Sequence, residues 1–246
     1  MTALESIPVY VVTVKTFFDR HVHMADLEHR LGVKFEYIWD YDADELSEED
    51  FARVEGAMSR RSISNVLKHF EAQRRFLNSG AEVCLVLEDD VILFEAFEYD
   101  LRKVLDLVKY LNPGWLIFLG GADNKIDDRF LQQSDVLIER WLSTAEAYLL
   151  DRNGCDYRFE WLKTNKLDRQ ADHQIKLIDQ SVGVKHYWFS RPLATQGSIT
   201  GLFHTALDAS RAKHSASYLN ARYHWNRLRR QTLPRFLKNI FSRVRS

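Results

Sequence analysis

Five consecutive apolar residues, Val83 to Leu87, run without a break into three carboxylates, Glu88, Asp89 and Asp90. An unbroken run of this kind suits the central strand of a parallel sheet, where both faces are covered. In open sheets flanked by helices, ligands bind beyond the carboxyl ends of the strands. The acids therefore stand where a ligand would sit, and the fold around them has to be one that buries the strand while leaving its end open.

The flanking sequence supplies such a fold. Pro8 to Val14 is a β-branched and aromatic strand segment, followed by a helix-compatible stretch from Phe17 to Leu31 that stops at Gly32, and by a second strand candidate, Lys34 to Trp39. Ser47 with Glu48, Glu49 and Asp50 reads as the cap and acidic first turn of a short helix. From Ile63 to Leu77, the residues Val66, His69, Phe70, Gln73, Phe76 and Leu77 recur at three-to-four spacing, the period of an amphipathic helix, which Asn78, Ser79 and Gly80 end. After the acids come a helix over Ala96 to Tyr110, a Pro113-Gly114 turn, a strand from Trp115 to Leu119 and Gly120-Gly121. Beyond Ser134 the order is open: Val136 to Trp141, Ala145 to Leu150 and Val184 to Phe189 read as strands, Asn153 to Leu162 as a helix. The expected class is α/β, an open, mostly parallel sheet with helices on both faces.

With 246 residues, 46% of them hydrophobic and 28% charged, the chain can bury one sizeable core. Ten glycines and four prolines exclude collagen-like and linker-rich designs. Two cysteines are too few for a disulfide framework, which points to a reducing cytoplasm. The N-terminus lacks a basic stretch ahead of its apolar segment and reads as a first strand, and nothing approaches the ~18 uninterrupted apolar residues of a membrane span. The net charge of -1 conceals an asymmetry: Arg211 to Ser246 holds ten Lys/Arg and no acid, leaving 24 cations against 35 acids in residues 1–210, a body of about -11. The expected division is a globular domain over 1–210 and a basic helical tail over 211–246 with a break at Pro234.

Adjacent carboxylates at a half-desolvated strand end repel one another unless a cation neutralises them. Oxygen-only ligands suit a hard divalent ion, Mg²⁺ or Mn²⁺, held by one or two carboxylates plus substrate phosphates. Strand alternation would turn Glu88 and Asp90 to one side and Asp89 to the other. The competing interpretation is an acidic turn that caps the helix beginning near Phe94 to Ala96. There is no Walker loop or GxGxxG fingerprint, and no CxxC pair or HExxH.

The string VLEDDVILFEAF resembles the signature of glycosyltransferase family 25, the lipooligosaccharide glycosyltransferases and collagen galactosyltransferases. VVTVKTFFDRHVHM is similar to the family's opening strand with its Asp-Arg, here Asp19 and Arg20; FEYIWDYDADEL resembles the second strand and its acidic turn, at Asp42. Leu67-Lys68-His69 lies where many members have Leu-Ser-His, so His69 matches and Lys68 departs. WLIFLGG, AEAYLLDRNG and the stretch from ADHQIKLIDQ to TQGSITG, with Asp172, Pro192, Gln196 and Ser198, resemble the later blocks in order.

That resemblance implies a GT-A-like fold and inverting, Mn²⁺- or Mg²⁺-dependent transfer of a hexose, usually galactose from UDP-galactose, to a saccharide. It implies a cation held first by Asp90, then Glu88, then Asp89, with His204 completing the shell, and Asp172 as general base with His173 as a lesser candidate. Arg20 is either a nucleotide or diphosphate contact or a surface cation. His69 is a packing residue or a donor-site neighbour, and Asp42 meets the nucleotide or caps a turn. Gly120 and Gly121 either let the backbone approach the sugar or metal or make a turn, and Gln196 and Ser198 bind sugar hydroxyls or belong to a polar loop.

From Arg222 to Arg245 cations alternate with Tyr223, Trp225, Leu228, Leu233, Phe236, Leu237, Ile240, Phe241 and Val244. The pattern fits a helix on an anionic membrane surface, at the inner face of the membrane if the acceptor is lipid-linked. A helix packed on the parent domain or a second subunit fits as well, while the acidic body argues against nucleic acid. Two further functions compete: a metal-dependent phosphoesterase using the same carboxylates, and a non-catalytic membrane-surface adaptor with the same fold.

Overall fold

A computed structural model describes residues 4–121, 135–141, 143–205, 213–229 and 233. It is an α/β fold around a seven-stranded sheet with the order β2 (Phe35–Ile38), β1 (Val9–Val12), β3 (Val83–Glu88), β7 (Ala147–Asp151), β5 (Trp115–Phe118), β8 (Lys185–Phe189), β6 (Leu137–Glu139). The pairs β1–β2, β1–β3 and β5–β8 are parallel; β7 runs antiparallel to both β3 and β5, and β6 runs antiparallel to β8. Five strands thus share one direction, and the sheet is mixed rather than wholly parallel.

The apolar run in β3 is buried on both faces, as its composition requires. Cys84 and Val86 point into one core with α3 (Arg60–Ser79), α5 (Arg152–Leu162) and α6 (Ala171–Val182); Leu85 and Leu87 point into a second core with α1 (Phe18–Leu31) and α4 (Phe97–Val108). Burying one such Leu or Phe side chain stabilises the fold by about 1.5–3 kcal/mol. The helix ends follow local chemistry. Ser47 and Asp50 form a capping box on α2 (Glu48–Ala52), Ser59 Oγ accepts from Ser62 N at the start of α3, and Gly80, at φ 76°, ends that helix in the left-handed conformation.

Three features depart from the sequence expectation. The Asp172 segment, left without an element, forms α6. A two-stranded ribbon joins β4 (Val91–Leu93) to β9 (Ala194–Gln196) in antiparallel register and leads into α7 (Gly197–Thr200). Because β4 intervenes, Glu88, Asp89 and Asp90 do not cap the next helix: α4 begins at Phe97 with Ala96 as an N-cap that makes no side-chain hydrogen bond. That overturns the capping interpretation of the acids.

α8 (Ala216–Arg227) covers part of the basic tail. The expected boundary at residue 210, the break at Pro234 and the tail cations beyond Arg229 lie outside the described residues. Among the described residues no helix is long and apolar enough to cross a membrane.

Candidate functional site

β1 leads through α1 to β2 on one side, whereas the chain leaving β3 crosses to the other, so the carboxyl ends of β1 and β3 form a topological switch point. A cavity of about 930 Å³ opens there. Nine of the thirteen residues given a role from the sequence line it: Arg20, Asp42, Glu88, Asp89, Asp90, Asp172, Gln196, Ser198 and His204. His69, Gly120, Gly121 and His173 do not.

The three acids diverge because β3 ends at Glu88 and the next two residues form a turn. Asp89 faces α1, where Arg20 Nη1 meets its Oδ1 at 2.5 Å and Thr13 Oγ1 donates to its Oδ2 at 2.8 Å. Arg20 is itself enclosed: its guanidinium lies 4.7 Å from the Phe17 ring centroid and 5.6 Å from that of Phe203, and Nη2 donates to the His204 carbonyl. Burial lowers the pKa of Arg20, but the charges of Asp89 and Asp90 more than compensate and raise it. Burial raises the Asp89 carboxyl, with Arg20 and Thr13 pulling against it. This is a buried, mutually neutralised pair with both carboxylate oxygens engaged; Arg20 is therefore not a surface cation, and it lines the cavity from within that pair.

Glu88 faces α3. Gln196 Nε2 donates to its Oε2 at 2.9 Å and Asn65 Nδ2 to its Oε1 at 3.4 Å, while His69 Nε2 stands 3.5 Å from Oε1. Burial pushes Glu88 up, but His69 first, then Asn65 and Arg20, hold it below the usual carboxylate range. His69 is fully buried, with Nδ1 3.1 Å from the Tyr148 hydroxyl, so it packs in the core and touches the site acid at once.

Asp90 differs from both. Its Oδ2 accepts from Ser198 N at 3.1 Å, whereas its Oδ1 is buried without a hydrogen-bond partner among the described residues. Burial, then the charges of Glu88 and Asp89, push its pKa up to about 6 against the pull of Arg20. Nearby, Gly197 lets α7 close on the turn: a Cβ there would lie 2.7 Å from the Asp90 carbonyl oxygen.

At the β2 end, Asp42 Oδ2 accepts from Lys15 N at 3.0 Å, and Oδ1 lies 2.7 Å from Lys68 Nζ. Lys68 is only 1% exposed and also donates to the carbonyls of Ile38 and Asp40, so it pins the turn after β2. Burial lowers its pKa against the counter-pull of Asp42. The neighbouring Tyr41 takes a left-handed φ of 65°, a strain that this tie helps to hold.

Asp172 lies half-buried in the first turn of α6, its Oδ1 accepting from His173 N at 2.8 Å. His173 lines a separate, shallower groove of about 600 Å³. His204 is exposed on the cavity wall. Among the described residues no group of three His, Cys, Asp or Glu side chains converges at metal-ligand spacing.

Gly120 and Gly121 stand outside the cavity. A Cβ on Gly120 would fall 1.9 Å from Glu146 Oε1, so that glycine makes room for a buried carboxylate that does line it. Glu146 was not singled out from the sequence; it joins the site because β7 runs antiparallel beside β3, so that Glu88 N donates to the Glu146 carbonyl at 3.0 Å. Asn65 was missed as well, although polar residues on the buried side of α3, with Ser64–Lys68 and Asn65–His69 both at i,i+4, were a readable signal. Neither models of known protein families nor curated proteins match this chain.

Proposed function

We propose that this chain is an inverting, metal-dependent glycosyltransferase with a GT-A-like fold, moving a hexose, galactose foremost, from a UDP-sugar to a lipopolysaccharide- or lipooligosaccharide-type saccharide. The observation that carries the proposal is Asp90 Oδ1, a buried acceptor without a donor among the described residues, beside ionised Glu88 on the wall of a cavity of about 930 Å³. Two carboxylates offering oxygen, completed by donor phosphates, fit a hard divalent cation. The resemblance of VLEDDVILFEAF and the ordered blocks around it to glycosyltransferase family 25 supports the same chemistry.

Mn²⁺ or Mg²⁺ bound to Asp90 and Glu88 would neutralise charge growing on the departing nucleoside diphosphate. Gln196, Asn65 and His69 hold the Glu88 carboxylate in place, while the Arg20–Asp89 pair fixes the turn that presents Asp90. Asp42, tied by Lys68, offers a carboxylate to a nucleotide hydroxyl. Asp172 has one oxygen bound to the helix backbone; its carboxylate takes the proton of the acceptor hydroxyl as the hydroxyl oxygen bonds to the anomeric carbon and the bond from that carbon to the phosphate oxygen breaks.

The test is a panel of nucleotide sugars assayed for binding and slow hydrolysis with and without Mn²⁺. UDP-hexose binding that needs Mn²⁺ is the expected result. Absence of binding by every nucleotide sugar would overturn the proposal, and phosphate release from simple esters without an acceptor would replace it with a phosphoesterase.

A further inference from the structure

α8 buries only Leu219 and Tyr223, which are one turn apart, and turns most of its other side chains outward. At 100° per residue, Tyr218, Arg222 and Trp225 fall on one stripe of the helix, away from the buried pair, and Arg229 follows two residues beyond its end. Tyr218 is 49% exposed and Trp225 62%, and Leu228 flanks them at 45%. Arg227 lies on a different side, with its guanidinium 5.5 Å from the Phe94 ring, and belongs to the contact with the body. From residue 213 to 229 the sequence has four Lys/Arg and no acid.

We propose that this stripe is a docking surface for an anionic lipid bilayer, with Trp225 and Tyr218 seated at the headgroup level and Arg222 and Arg229 paired with lipid phosphates. Aromatic rings with a polar handle favour the membrane–water boundary, and each cation near an anionic surface strengthens binding about fivefold. Charge complementarity fixes which side of the molecule lands. The body over 1–210 carries about -11 and is repelled, while the tail is attracted.

The helix is coupled to the acid cavity through α7. Gly201, at the end of α7, lies so close to the start of α8 that a Cβ on it would stand 2.5 Å from the Ala216 carbonyl oxygen. α7 in turn supplies the Ser198 N–H that holds Asp90. Binding through the α8 stripe therefore holds the cavity near the bilayer, where a lipid-linked substrate resides. The docking surface itself does not depend on the cavity chemistry.

Sedimentation of the full chain with vesicles of phosphatidylcholine, with and without phosphatidylglycerol, tests this. Binding is expected only to the anionic vesicles, weakening with salt, and R222E/R229E should weaken it by more than about 100-fold because each change removes a cation and adds an anion. The blue shift of tryptophan emission on binding should shrink in Trp225→Ser. Unaltered circular dichroism and melting temperature of both variants confirm that the fold survives, as neither site is packed. Wild-type affinity of R222E/R229E for anionic vesicles, equal binding to pure phosphatidylcholine, or tighter binding to a DNA oligonucleotide than to vesicles would each overturn the proposal.

Discussion

Asp90 is the residue at which stability and the proposed chemistry conflict. Its carboxyl sits at about 6 in the folded chain against 3.8 as the ordinary value, because burial and the neighbouring acids disfavour its ionised form. A folded-state pKa raised above the unfolded one means that ionised Asp90 destabilises the metal-free protein above pH 6, and that the penalty fades as pH falls from 6 towards 3.8. A shift of this size corresponds to about 3 kcal/mol. Asp90→Asn should therefore raise the melting temperature of the metal-free protein at pH 7.5, lose that advantage near pH 4, and abolish Mn²⁺-dependent nucleotide binding. Melting curves at the two pH values check the sign; a variant less stable than the wild type at pH 7.5 would show that Asp90 is satisfied by structure alone. Gly120 carries a second residue-scale test, since a methyl there collides with Glu146. Gly120→Ala should cost about 1–3 kcal/mol in urea unfolding, and adding Glu146→Ala should recover much of it.

Among the elements, those with an unbroken apolar run or an apolar repeat sustained over several turns were legible in the sequence even where polar residues share the buried face, as on α3, whereas a short helix with few apolar positions was not. α1, α3 and β3 lie close to where their periodicity puts them, as do β5 and β8. α6 escaped because its buried side mixes Ala171, Ile175 and Ile178 with Gln174 and Asp179. Gln174 Oε1 accepts from the N–H groups of Asp168 and Arg169, and Asp179 takes a bidentate pair from Arg158 and a contact from His186. Those partners come from other parts of the chain, so nothing local announces that polar residues sit in a core. The same holds for the site: the acids at the end of β3 were legible, but Glu146 enters through antiparallel pairing that a local pattern cannot encode. Lys68, which departs from the family-like Leu-Ser-His, proves to be a structural tie on α3. Lys68→Met should destabilise the fold by about 3–5 kcal/mol in urea unfolding, because it leaves Asp42 without its buried counter-charge. A loss well under that range would mean that Asp42 relaxes into the cavity and is hydrated there.

At the scale of the whole molecule, the proposed function makes ligand binding an assembly of three parties rather than the filling of a finished metal cage. Asp89 is paired with Arg20 and Thr13, His204 is exposed, and the proposal gives the cation to two carboxylates, Glu88 and Asp90. With so few protein ligands, Mn²⁺ alone should bind weakly, and UDP alone should be opposed by the acids around the cavity. Each supplies what the other lacks, so their binding should be positively coupled, and by reciprocity Mn²⁺ should tighten UDP by the same factor that UDP tightens Mn²⁺. A ligand present at 100 times its dissociation constant stabilises the folded state by about 2.7 kcal/mol, enough to move the melting temperature of a domain this size by several degrees. The expected result is a melting temperature shift with Mn²⁺ and UDP together that exceeds the sum of the separate shifts, and that disappears in Asp90→Asn. Ca²⁺ serves as the control, since the body of about -11 would attract any divalent ion without needing a site. If Mn²⁺ alone produced the whole shift, a preformed metal centre would have to exist, and the division of labour between Asp89 and Asp90 would be wrong. If UDP alone produced it, the acids would have no part in holding the diphosphate and the transferase chemistry would lose its metal.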